Sequence, residues 1–249
     1  MQLVLKRVAA KIYSLLIAFK GLLGRKTDTT HYFTLHNLKT KYSEKKKIVV
    51  LASGPSANEV ALNKDTLYVV TNSGYRLVKN FDYLYFINDG FYVKKVLAIG
   101  DYFLKDTQEI VFFYQNSELH KKGFCFLKKH LTKLSKKNKY MISELDSHSA
   151  SLENWNHFSG FYKQRNLPIK IQNSGVFLLL FGYFLAIEMQ LPIEVYGLDL
   201  GVGGVKHFDN KGVAGKSVTN DRVRSNVKMY LDFMTQEHTE FVNFSYFKG

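Results

Sequence analysis

The stretch IVVLASGPSANEV, residues 48–60, runs from β-branched and apolar residues into a tight small-residue turn and then into helix-compatible sequence. A continuous apolar run of this length, closed by Gly-Pro, reads as a strand buried on both faces, and the succession is the strand–turn–helix unit of an α/β sheet. In such units the turn can present helix N-terminal amides to a phosphate. Ser53-Gly54-Pro55-Ser56 lacks the glycine count of G-x-G-x-x-G and the Gly-Lys-Ser/Thr ending of a P-loop, which disfavours ordinary dinucleotide and ATP chemistry.

The pattern repeats after this stretch. TLYVVTN (66–72), DYLYFIND (82–89), EIVFFYQ (109–115), IEVYGLDL (193–200) and EFVNFSY (240–246) read as further strands. FCFLKKHLTKLSKK (124–137) reads as a basic helix and DRVRSNVKMYLDFMTQE (221–237) as an amphipathic one. NSGVFLLLFGYFLAIEMQ (173–190) is apolar nearly all round, and its strand-flanked position predicts a helix buried against a sheet rather than a membrane span. Short apolar strands alternating with helices predict a Rossmann-like α/β domain, a mostly parallel sheet with helices on both faces. Ligands of such sheets lie beyond the carboxyl ends of the strands. Those ends are Ser53-Gly54-Pro55-Ser56, Thr71-Asn72-Ser73-Gly74, Asn88-Asp89-Gly90, Gln115-Asn116-Ser117 and Gly197-Leu198-Asp199. One would be ordinary turn chemistry; five predict a polar pocket suited to ribose hydroxyls, base edges and phosphate oxygens. Asn173-Ser174-Gly175 opens the long apolar helix in the same style, and Ser56 and Ser174 also read as plain helix caps.

The chain has 249 residues, 46% hydrophobic and 15% aromatic, enough for a folded core. Its net charge of +14 is concentrated in residues 1–47 and 119–143, which suits an anionic surface or substrate better than a uniformly basic nucleic-acid binder. Residues 1–27 predict a basic amphipathic helix that lies on an anionic membrane or packs on the domain, since Lys11 and Lys20 bracket too few uncharged residues for a span. No signal-peptide cleavage pattern follows it. Residues 28–46 read as a polar linker and 47–249 as the main domain. The single cysteine, Cys125, excludes an internal disulfide. DSHS (146–149), KHFDN (206–210) and Asp199 give no three-ligand metal set, so no metal is expected.

The ordered set SGPS, TNSG, FIND, NSGVFLLLFGYFLAIEMQLPIEVYGLDL and HFDNK resembles the bacterial sialyltransferases of the Campylobacter type, with related bacterial CMP-Kdo transferases. The likeness spans roughly residues 46–247, strongest in 173–199, and rests on order and spacing rather than on one decisive motif. It implies a single-domain, metal-independent, GT-A-like variant of the Rossmann fold that uses a CMP-activated sugar. It further implies that Gly54, Pro55 and Ser56, with Ser53 in place of the family's asparagine, line a CMP pocket together with Asn72, Asn88, Ser174, Gly175 and Asp199.

The family's general-base histidine, with neighbouring tyrosines, precedes the last amphipathic helix; here that region reads KSVTNDRVRSNV. Asp221 is one replacement, as a carboxylate able to take the acceptor's proton, and His207 another. Asp89 is a third candidate, as nucleophile of a two-step retaining transfer. Asp221 also fits as a helix cap, and Arg222, Arg224 and Lys206 fit either a leaving phosphate or a solvated helix face. The expectation is transfer of a CMP-activated keto-acid sugar, sialic acid or Kdo, to a bacterial surface glycan or lipid-linked acceptor. The site is expected to be cytoplasmic and peripheral on the inner membrane, with no nucleic-acid partner. The alternative is a non-catalytic nucleotide- or glycan-binding partner in polysaccharide assembly.

Overall fold

Strands β1 (Lys47–Leu51), β2 (Thr66–Val70), β3 (Tyr83–Ile87), β4 (Glu109–Tyr114), β5 (Asn138–Ser143), β6 (Ile193–Tyr196) and β7 (Phe241–Asn243) form an all-parallel sheet in the order β5-β4-β3-β2-β1-β6-β7. The structure, a computed structural model, describes residues 32–88, 109–114, 138–144, 149–170, 173–202, 208 and 221–249. The helices expected at 1–27 and 124–137, the strand end at 115–117, Cys125, Lys206, Asp89 and His207 lie outside the described residues, as does most of the lysine-rich segment.

Every residue of β2 and β3 is buried, as an unalternating apolar run requires when both faces of a sheet are covered. One face carries α1 (Leu35–Lys41), α3 (Ser149–Gln164), α4 (Ser174–Met189) and α5 (Asp221–Glu237). On the other face lie a 3₁₀ turn (Pro55–Glu59) and the short α2 (Tyr75–Val78). The Rossmann-like α/β fold is thus the architecture of the chain.

Buried residues run without a break from Val176 to Ala186 in α4, which explains its missing polar face: the sheet lies beneath it and α3 and α5 flank it. Rings from helix and sheet interlock there, Phe177 lying 4.6 Å from Phe113 and Phe181 stacking on Phe86. At Gly182 the helix approaches β1 so closely that a Cβ would stand 2.2 Å from Val50 Cγ2. The helix ends at Gln190 in the left-handed conformation, and Pro192 follows, a usual helix exit.

Three elements depart from the sequence reading. Asn138–Ser143 is a strand despite its lysine-rich approach, with Lys139 buried. Ser149–Gln164 is a full helix whose Phe158, Phe161 and Tyr162 enter the core. The expected linker contains α1, whose Leu35 and Leu38 are buried in the main core.

The sheet has its topological switch between β1 and β6: the chain steps outward from β1 through β5, then returns to build β6 and β7 on the other side. Register sets the ends of the central strands level, with Leu51 opposite both Val70 and Tyr196. A crevice beside such a switch is where open α/β sheets bind ligands.

Candidate functional site

The turn after β1 does bind an anion, and that anion is the protein's own. The Asp199 carboxylate accepts the Ser56 N–H at 2.8 Å and the Ser56 hydroxyl at 2.6 Å, and also the Tyr246 N–H at 2.7 Å. Ser56 Oγ in turn accepts the Gly197 N–H, and the Gly54 N–H donates to the Gly197 carbonyl. A Cβ at Gly54 would lie 2.3 Å from Asp199 Oδ2, and one at Gly197, where φ is +73°, 2.5 Å from the Ala52 carbonyl. Only glycines let the two turns close on each other. Ser56 is therefore no helix cap, and it and Asp199 direct their hydrogen bonds at each other, Asp199 being 2% exposed. Both act on the crevice by fixing its wall, which also holds Ser53 and Pro55.

The segment after β7 completes that wall. Ser245, fully buried, accepts the Leu198 N–H at 2.9 Å, and the Tyr246 hydroxyl donates to Glu59. That bond, with the nearby Glu59 and Asp199 charges, holds the Tyr246 hydroxyl above its ordinary pKa.

Against this wall packs the first turn of α4. Asn173, not Ser174, is its cap: the Asn173 side chain accepts the Val176 N–H at 3.0 Å, and its carbonyl accepts the Phe177 N–H. Ser174 and Gly175 are left with N–H groups that have no partner among the described residues. A Cβ on Gly175 would meet Leu198 Cδ1 at 3.0 Å, so this turn sits against the exit of β6.

The asparagines follow the next two strands of the sheet, Asn72 after β2 and Asn88 after β3. Strand alternation puts Asn88 on the face of Leu84 and Phe86, the face α4 covers. Asn88 is 5% exposed, and its Oδ1 has no hydrogen-bond partner among the described residues. A buried acceptor left open costs about 1–3 kcal/mol, and a water or a ligand donor would satisfy it. Asn72 adopts φ 51°, a conformation asparagine tolerates, and its carbonyl accepts the Tyr85 hydroxyl. The Thr71 hydroxyl donates to the Phe86 carbonyl and locks this turn to β3.

α5 begins at the same edge. Arg224 donates to the carbonyl of Leu200, a non-glycine residue at φ 49° just beyond Asp199. Asp221 is the first residue of α5 and is exposed, as is Arg222. Two polar residues of this corner escaped the sequence reading: Lys170, four residues ahead of Ser174, donates to Asn226 Oδ1 at 3.0 Å. Asn226 interrupts an otherwise apolar α5 face of Val223, Val227 and Tyr230, and that polar interruption was the signal available.

Chemically, the carboxyl edge of the sheet offers N–H donors for an anion and an acceptor for a hydroxyl or amine, each without a partner among the described residues, and nearby cations. Among the described residues no group of three or more potential metal ligands occurs, and no helix is long and apolar enough to cross a membrane. No family model, curated protein or solved structure matches the chain.

Proposed function

We propose that the chain is a glycosyltransferase that moves a CMP-activated keto-acid sugar, sialic acid or Kdo, to a surface glycan or glycolipid acceptor. The observation that carries the reading is that, at the carboxyl edge of the sheet, the Ser174 and Gly175 N–H groups and the Oδ1 of Asn88 are left without partners among the described residues. The N–H pair suits a nucleotide phosphate, and Asn88 suits a ribose or sugar hydroxyl. In this reading Asn72 contacts the nucleotide, and Gly54, Ser56 and Asp199 hold the wall behind it. The acceptor's proton goes to Asp221 or to His207, or Asp89 serves as the nucleophile of a two-step retaining transfer. The basic segments hold the enzyme on an anionic membrane or saccharide. The reading rests on the resemblance and on this geometry together.

Calorimetric titration with CMP tests it. The chain is expected to bind CMP, and Asn88→Ala to weaken that binding about tenfold without lowering thermal stability, since it removes an acceptor that the fold leaves unsatisfied. Absence of CMP binding would sink the proposal. CMP binding without CMP release from either CMP-sialic acid or CMP-Kdo would favour a non-catalytic binding partner instead.

A further inference from the structure

We infer that Lys170 and Asn226 form an oxyanion seat beside the first turn of α4, taking the phosphate or carboxylate of a small anionic ligand. Both α4 and α5 start at the carboxyl edge of the sheet and run back antiparallel to the strands, so they run parallel to each other. They meet where Tyr183 packs on Phe233, ring centroids 6.4 Å apart. Seven residues, about two turns, toward the start of each helix stand Val176 and Asn226, so Asn226 lies level with the first turn of α4.

Residues 167–170 are laid along α5 in the opposite direction. Arg165 pairs with Glu237 near its end, the Tyr230 hydroxyl donates to the Pro168 carbonyl at 2.7 Å, and Lys170 Nζ reaches Asn226. An ammonium only donates, so the Asn226 oxygen must face it and the amide Nδ2 must face away. That Nδ2 is buried with no partner among the described residues, in a residue only 8% exposed. One corner therefore gathers a cation, an amide donor and two helix N–H groups, the last three without partners among the described residues, a donor set suited to an acceptor carrying negative charge.

The identity of the ligand rests on the CMP reading; the seat itself does not. The test uses Lys170→Gln, which keeps a donor for Asn226 while removing the charge, and Lys170→Arg, which restores it. Both are titrated with inorganic phosphate, cytidine, CMP and CMP-sialic acid after circular dichroism has verified the fold. Lys170→Gln is expected to weaken CMP about tenfold or more and leave cytidine unchanged, with Lys170→Arg recovering most of the loss. If the seat takes the sugar's carboxylate, CMP-sialic acid alone weakens. Lys170-dependent phosphate binding without nucleotide binding upholds the seat and removes the proposed function. Unchanged affinity of Lys170→Gln for all the anionic probes overturns the seat, as does a wild-type chain that binds none of them.

Discussion

Asp199 shows what one carboxylate does for the crevice. Its oxygens accept three donors, two from Ser56 and one from the Tyr246 backbone. Asn at this position keeps the shape but turns an NH₂ toward at least one of those donors and removes the charge that strengthens all three bonds. Asp199→Asn is expected to cost about 2–4 kcal/mol in urea denaturation, and to weaken CMP binding as the 53–56 turn loosens. A loss below about 0.5 kcal/mol would show that the turn holds itself closed without the carboxylate. Sequence alone marked Ser56 and Asp199 separately, because each ends a strand in small or polar residues. Their partnership was not legible, since it spans 143 residues and depends on which strand docks beside β1.

α4 is the element that unites core and crevice: Gly182 touches β1, and its first turn faces the crevice. Gly182→Ala gains about 1 kcal/mol of helix propensity but drives a methyl into Val50. Overpacking of this kind costs typically about 1–3 kcal/mol, so a net loss of stability is expected. Val50→Ala in the same chain should recover part of it, and a double-mutant cycle in denaturant measures the coupling. Additive effects would mean that helix and strand do not meet at these atoms. The extents of α4 and α5 were legible because long periodic or uniformly apolar runs leave little choice of state. β5 was not, because Asn138 and Lys139 begin it and a run of lysines precedes it; the register with β4, not local propensity, makes it a strand. The Ser174-Gly175 turn and Asn88 could be picked out as strand-end and helix-start residues. Lys170 gave no local sign, since its significance comes from α5 lying alongside.

At the scale of the whole molecule, the core depends on neutral tyrosines. Burial raises the hydroxyls of Tyr140 and Tyr162 well above their ordinary value, and burial, followed by the neighbouring Glu194, brings Tyr196 to about 12. Each raised pKa means that the folded chain holds its proton at a pH where the unfolded chain has lost it. The corresponding stability is fully present below about pH 10 and disappears as pH rises through the folded values. Denaturant midpoints measured across alkaline pH should fall steeply above about pH 10, with the buried share of the tyrosinate absorbance appearing together with unfolding. Full tyrosinate absorbance well before the fold is lost would contradict this burial. The strap after β7 has its own consequence in the order of synthesis. On the ribosome, Ser56 waits 143 residues for its carboxylate, and that carboxylate waits another 47 for the Tyr246 amide. Early strands can pair as they emerge, but the ligand crevice cannot assume its final shape until translation has passed residue 246, so nascent chains hold a sheet before they hold a site.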